Sequence, residues 1–429
     1  MHSANPDTFA VIGAGFCGLG VMAALRRHGI AFEAFERDDR LGGNWYHGVY
    51  ETVHIISSRK TTEYSDYPMP LNYPDFPSAA QMLTYLNSYA DHHALKPHIR
   101  FNTGVEHVAP APGDRWELTL STGERRTYAG VVIANGHHWD CRYPSYPGEF
   151  AGQIIHSKHY KNPEILKGKR VLVIGGGNSA CDIAVEAARF ARSAHISMRR
   201  GYWILPKTVF GRPLVESIPI MLPLWAQRLF LRAAVRVVVG RYEDYGLQRP
   251  DHRIFEHHPT INSELLAFLR HGRVTPHPDI ARYAGNTVEF TDGARADFDL
   301  IVAATGYHLS LPMLAPSVIA WRNGVPQLIG LASPTHKNIY IFGAGQARYG
   351  AGPLISAGAE TLCTMIRVQR QLRQPIGTLL QKLGMQPPNT MLVGPEEVLR
   401  STRQAQRILP ALVLLEKVLG QCDSAQRRG

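Results

Sequence analysis

The sequence contains no C-x-x-C pair. Its five cysteines, Cys17, Cys141, Cys181, Cys363 and Cys422, are scattered and odd in number. That argues against a dithiol redox centre and a cysteine zinc site, and for a reducing, cytoplasmic setting. H-E-x-x-H is missing too. Six of the twenty histidines stand in adjacent pairs (His92–His93, His137–His138, His257–His258), so no metal is expected. The nearest approach to a nucleophile elbow, "LISAG", has Leu354 where the first glycine belongs. No signal of charged, then apolar, then small residues precedes the first strand. The longest uncharged stretch of interest, residues 217–227, is far shorter than the roughly 20 residues a spanning helix needs. Low-complexity segments and short-period repeats are also absent.

Lys plus Arg (46) exceed Asp plus Glu (35), giving a net charge of +11. No basic tract appears, so nucleic acid is not an expected partner. The excess reads as diffuse, with an anionic membrane surface or a phosphate-bearing cofactor as the alternatives. A length of 429 residues with 45% hydrophobic content suits two or three domains with cores of their own.

What the sequence does contain is one statement made twice. In "FAVIGAGFCGLGVMA", Gly13, Gly15 and Gly18 fit G-x-G-x-x-G between a strand (9–12) and an apolar helix (about 17–27). The first glycine permits the tight turn, the second lets the backbone approach a pyrophosphate, and the third lets helix and strand pack closely. The helix N-terminus turns unpaired N–H groups toward the phosphates. Glu36 ends the next strand (31–35), where a carboxylate can accept both hydrogen bonds of a ribose diol. In "VLVIGGGNSACDIA", Gly175, Gly177 and Ala180 fit the permitted G-x-G-x-x-A form, with Asn178 and Ser179 at the helix start. Here the matching strand end carries Arg199 and Arg200 rather than an acid. Guanidinium groups bind a 2′-phosphate, which a carboxylate would repel. The first cradle therefore suits FAD and the second NADPH, unless the arginines merely decorate a strand end.

Between the loops, "FAGQIIHSKHYK" places Phe150, Gly152, His156, Tyr160 and Lys161 in F-x-G-x-x-x-H-x-x-x-Y-K. This resembles the fingerprint of flavin-containing monooxygenases, related to Baeyer–Villiger enzymes in which Trp-Pro follows the histidine. "FERDDRLGGNW", "YSDYPMP", "SMRRGYW", "HPTINSELL" and "ATGY" fall in the family's order, and the resemblance spans residues 9 to 360. It implies an α/β fold of two Rossmann-like dinucleotide-binding domains, the second inserted in the first: residues 1–147 and 305–429 for FAD, 148–304 for NADPH, with a mostly helical insertion at about 202–262. It also implies that Gly42, Gly43, Asn44 and Trp45 lie along FAD, that Thr305, Gly306 and Tyr307 mark the crossing back, and that Gly343 and Gln346 close near the isoalloxazine ring. His156 would couple the two sites, either by direct chemistry or by fixing the domain angle. Ser57 and Lys60 of "SSRK" align with the family's N-x-x-K, so serine stands where many members place the amide beside the flavin.

The implied reaction is NADPH-dependent insertion of one oxygen atom from O2 into an amine nitrogen or a sulfide sulfur through a C4a-hydroperoxyflavin. Baeyer–Villiger oxidation of ketones and an NADPH oxidase releasing hydrogen peroxide are the rivals, and a non-catalytic nucleotide sensor is the third reading. Two features stay open. Arg228, Arg232 and Arg236 recur every fourth residue beside Leu229, Phe230, Leu231 and Val235, which suits a lid over substrate or a helix touching a membrane. The tail at 408–420 suits a docking helix, a homodimer contact or a weak membrane anchor.

Overall fold

The computed structural model describes residues 7–426, with side chains to residue 417. Apolar runs form two five-stranded sheets whose strands all run parallel. In the first, the order is Ile339–Ile341, Gly130–Ile133, Phe9–Ile12, Phe32–Phe35 and Ile99–Arg100. In the second, it is Gln153–His156, Leu300–Ala303, Arg170–Ile174, Ser193–Ser197 and Thr275–His277. Strands such as Phe9–Ile12 and Leu300–Ala303 are buried at every position, as a parallel sheet covered on both faces requires. The glycine-loop helices, Phe16–Arg27 and Asn178–Phe190, supply part of that cover. The expected α/β fold with paired dinucleotide-binding units is what the chain adopts, and the chain leaves the first sheet and returns to it around the second.

The duplication goes further than the loops. Each unit inserts a three-stranded antiparallel meander before its fourth strand: Val105–Ala111, Arg115–Leu120 and Arg125–Tyr128 in one, Ile280–Ala284, Thr287–Phe290 and Arg295–Asp297 in the other. The stretch 127–133 divides at Ala129 between the meander and the parallel sheet. Gly130 makes the division sharp. A Cβ there would come within 2.3 Å of the Phe9 ring.

The insertion at 202–262 is less helical than expected. It holds the helices Leu214–Ser217 and Leu224–Val238, a 3-10 turn at Tyr242–Tyr245, the hairpin Thr208–Val209 with Arg212–Pro213, and a parallel pairing of Ile204–Leu205 with Thr260–Ile261. Pro206, Pro213, Pro219, Pro223, Pro250 and Pro259 break it into these pieces. Helix Leu224–Val238 buries Gln227, Leu231 and Val235 and turns Leu229 and Phe230 outward, so those two do not join the packed face. The C-terminal helix Pro395–Gln426 packs on helix Gly352–Gln369 and buries Leu409 and Leu412 in the first unit's core, which makes its inner face a docking surface.

Two carboxylates hold the units together. Asp182 and Glu186 lie one turn apart on Asn178–Phe190, and both face the first unit. Tyr50 donates to Asp182 Oδ2 at 2.7 Å and Asn262 to Oδ1 at 2.8 Å. Thr52 and Tyr160 both donate their hydroxyls to Glu186, which is almost fully buried. Fingerprint residue Tyr160 is thereby a structural donor. Tyr160→Phe removes one donor from a buried carboxylate and is expected to destabilise the fold by about 1–3 kcal/mol. Urea unfolding measures this, and an unchanged midpoint would contradict the assignment.

Candidate functional site

The two glycine loops lie at the carboxyl ends of their sheets, where open α/β folds bind ligands. In the first, Gly13 takes φ +101° and a Cβ there would sit 2.6 Å from the Ala134 carbonyl oxygen. At Gly18 a Cβ would come within 1.9 Å of the Gly13 oxygen, so helix and loop meet with no room for a side chain. Gly15 is approached only by Gly43, whose neighbour Gly42 donates its N–H to the Ala14 carbonyl at 3.0 Å. The segment Gly42–Trp45 thus lies across the loop, with Asn44 Oδ1 accepting from Lys158 Nζ at 3.2 Å and Trp45 packed on the first core.

Glu36 is 6% exposed. Burial pushes its carboxyl above the usual range, opposed by N–H groups of Ala14 (2.8 Å, to Oε2) and Asp38 (3.1 Å, to Oε1). Each oxygen keeps acceptor capacity for an incoming hydroxyl.

At the second loop Gly175 takes φ +130°, and a Cβ there would lie 2.4 Å from the Ala304 oxygen and 3.6 Å from the Ala180 methyl. A Cβ at Gly177 would meet nothing within 4 Å, which leaves that backbone open to a ligand. Gly177 is also the N-cap of Asn178–Phe190, with no side chain bonded to the exposed N–H groups. Ser179 lies in that first turn, beside the Tyr50 hydroxyl. The segment containing "HPTINSELL" wraps the loop. Thr260 donates its hydroxyl to the Gly176 carbonyl at 2.7 Å, and Asn178 Oδ1 accepts the Ile261 N–H at 2.7 Å. The ring of Tyr202 covers Gly176, where a Cβ would come within 2.3 Å of it. Sequence reasoning quoted this motif without assigning Thr260, Asn262 or Tyr202. Only their polar character beside a glycine loop in space, not in sequence, marks them.

The two arginines are not equivalent. Arg199 is exposed and forms no ion pair with a described residue. Arg200 stacks 5.6 Å over Tyr202, shares a hydrogen bond with His257 at 2.9 Å, and buries an Nε with no partner.

Between the cradles lies His156, fully buried. Its Nε2–H donates to the Gly306 carbonyl at 3.0 Å and its Nδ1 accepts the Lys158 N–H at 3.1 Å. Burial holds its pKa below the ordinary value. Both ring nitrogens are engaged by backbone, so direct chemistry at His156 does not fit this arrangement, and the imidazole fixes the crossing instead. Thr305 donates to the Arg142 carbonyl, and Arg142 N–H reaches Gly306 at 3.0 Å. Tyr307–His308 then pairs antiparallel with Asp140–Cys141.

Ser57 is half-buried, and its hydroxyl pairs with Thr62 Oγ1 at 2.7 Å. Lys60 is exposed and faces Glu216 of the insertion at 3.5 Å, so it ties surfaces rather than entering a site. Gln346 donates its N–H to Met391 at 2.7 Å in a short strand pairing with Leu392–Val393. Gly343 lies on Cys17 at the start of the first helix. The buried Arg348 next door pairs with Glu396 (2.8 Å) and Glu397 (2.6 Å), which pins the start of the C-terminal helix beside this edge.

His137 Nδ1 bonds the Gly343 carbonyl at 2.9 Å, and His138 and His258 lie near it. Desolvation lowers the pKa of the half-buried His137 and His258 and also that of His138, although His138 is exposed on one side. Among the described residues no group of three or more His, Cys, Asp or Glu is placed to hold a metal ion.

The flavin-binding monooxygenase-like family model matches residues 7–338. Human flavin-containing monooxygenase 5 is 35% identical over 345 residues, covering 74% of this chain. The chain spans 64% of the length of that relative. Among solved structures, a flavin-containing monooxygenase from Stenotrophomonas maltophilia superimposes with a TM-score of 0.66 at 22% identity, covering 84% of this chain and 98% of the other. OTEMO complexed with FAD and NADP gives 0.70 at 20% identity, covering 86% and 85%. The chain belongs to the flavin-binding monooxygenase-like family.

The histidine cluster carries a pH prediction. A His whose folded pKa is depressed contributes stability above its unfolded pKa, and that stability is lost as pH falls toward the folded value. For His138 the window runs from 6.5 down to about 3. His138 is exposed to solvent, so screening discounts its share, and its protonation between pH 6.5 and 5 should remove about 1 kcal/mol or less. The His138→Gln variant should show a shallower fall in urea midpoint over that range, and parallel curves would contradict the assignment.

Proposed function

We propose that the chain is an NADPH-dependent FAD monooxygenase that transfers one oxygen atom from O2 to an amine nitrogen or a sulfide sulfur. The observation that carries this reading is a pair of glycine cradles of opposite charge joined by one backbone crossing. Glu36 suits a ribose diol and disfavours a 2′-phosphate, while Arg199 and Arg200 favour one. FAD bound in the first cradle would supply the redox chemistry, taking hydride from NADPH and activating O2, whose second oxygen leaves as water.

The chain's own residues do the holding. Gly13, Gly15 and Gly18 admit the pyrophosphate of FAD, with Gly42, Gly43, Asn44 and Trp45 along its length. Gly175, Gly177, Asn178, Ser179 and Ala180 admit that of NADPH. Thr305, Gly306 and His156 fix the angle between the cradles, so that a nicotinamide can meet a flavin. Gly343 and Gln346 bound the reacting edge, and the neutral His137, His138 and His258 keep it uncharged and partly dry. The amine or sulfide enters as a small molecule, and the four free described cysteines accord with a cytoplasmic setting.

A second reading is an NADPH oxidase releasing hydrogen peroxide, favoured by Ser57, whose hydroxyl is tied to Thr62 (2.7 Å). Turnover of a thioether or tertiary amine with NADPH under 18O2 separates the two. Labelled sulfoxide or N-oxide matching NADPH consumed supports the monooxygenase, whereas stoichiometric peroxide establishes the oxidase. Arg199→Ala should raise KM for NADPH about tenfold to a hundredfold, as loss of a charge-assisted bond implies. KM for NADH should barely move. An equal rise for both would remove the 2′-phosphate assignment.

A further inference from the structure

Residues 385–394 form an irregular strap between the helix Ile376–Lys382 and the C-terminal helix. The strap lies beyond residues 9–360, which carry the family's motifs, yet it runs along the reacting edge. Leu392–Val393 pairs in parallel with Gln346–Ala347, and the N–H groups of Gln346 and Arg348 donate to the carbonyls of Met391 (2.7 Å) and Val393 (3.0 Å). Two further contacts hold it there. Helix Ile376–Lys382 packs in the first unit's core, whereas Leu392, 7% exposed, is buried in the second's. The Arg348 guanidinium is held by Glu396 and Glu397 and lies 5.7 Å from the centre of the Phe255 ring, and the Gly394 N–H donates to Glu397 at 3.1 Å.

The Val393 methyls stand over Gly345, between Gly343 and Gln346. A Cβ on Gly345 would come within 3.2 Å of one methyl and 3.3 Å of the other. A valine is stiff at χ1, and here its backbone is pinned by strand pairing, so it cannot swing aside for a larger guest. Imidazoles border the same edge: His137 bonds the Gly343 carbonyl at 2.9 Å, and His258 bonds the Ala347 backbone. The charges that act on His137, His138 and His258 are one another's and that of Lys158, and no carboxylate acts on any of them.

We propose that this strap is one wall of the substrate pocket, that Val393 limits its size, and that the pocket selects a compact, uncharged thioether over a protonated amine. The inference rests on the monooxygenase reading and narrows it. A tertiary amine is an ammonium ion at neutral pH, and an edge with a lysine and no carboxylate leaves that cation without a partner. A sulfide offers its lone pair with no proton to lose. That pair forms the S–O bond with one oxygen of O2, NADPH supplies two electrons, and the other oxygen leaves as water.

The test is equilibrium titration of the oxidised, flavin-loaded protein, followed by difference spectra in the visible flavin band. The probes are dimethyl sulfoxide, methyl phenyl sulfoxide and tetramethylammonium. Val393→Ala should tighten methyl phenyl sulfoxide relative to dimethyl sulfoxide by about tenfold, and Val393→Leu should shift the ratio the other way. Tetramethylammonium should bind the wild type about tenfold or more weakly than dimethyl sulfoxide. Both substitutions are small, and urea unfolding checks that each variant is folded. A ratio of Kd values unchanged in both variants would overturn the proposal, as would a cation that binds as well as the sulfoxide or a flavin band that no probe perturbs. No turnover is involved, so release of peroxide in place of sulfoxide defeats the monooxygenase reading while the titration still decides the wall.

Discussion

The carbonyl oxygen of Gly306 is the point on which the two halves turn. It accepts the Nε2–H of His156 from the edge strand of the second sheet and the N–H of Arg142 from the strand leaving the first. A carbonyl with two donors from two elements fixes both at once, since release of the buried His156 donor leaves an unpaired polar group at a cost of about 1–3 kcal/mol. The left-handed φ of Gly306 (+84°) is what lets one residue offer that oxygen to both. His156 can serve only as the neutral tautomer, and its burial, by lowering the pKa, supplies that form.

Around this point the units repeat the same topology and then differ in where the fifth strand comes from. Each builds four strands from a continuous segment with a meander before the fourth. The fifth strand of the second sheet, Gln153–His156, comes just before its other four, whereas that of the first, Ile339–Ile341, comes only after the second sheet is complete. The first unit is therefore not closed until the chain has passed through the second. With Asp182 and Glu186 receiving Tyr50, Thr52 and Tyr160, this makes the pair one body with a set angle, as hydride transfer between two bound dinucleotides requires.

What could be read from the sequence was what depends on local backbone. Gly13, Gly15, Gly18 and Gly175 stand out because a turn and a close approach permit nothing larger, and the apolar strands beside them are continuous. Glu36 was found by its distance from the glycine loop. His156 was legible as a junction residue, but its role needed Gly306, 150 residues away. Thr260, Asn262, Tyr202 and Arg348 had no local signal, since each acts through a partner far off in sequence or through burial. The meander in the second unit and the broken insertion were equally hidden. Short strands of two or three residues carry too little periodicity to show.

The central claim is that hydride passes from a nucleotide in the second cradle to a flavin in the first. Anaerobic rapid mixing of the purified protein with NADPH, followed in the visible flavin band, tests it most directly. The account predicts complete bleaching that saturates with NADPH and runs far slower with NADH at the same concentration. A protein that holds no flavin, or a bound flavin that neither nucleotide reduces, would contradict it.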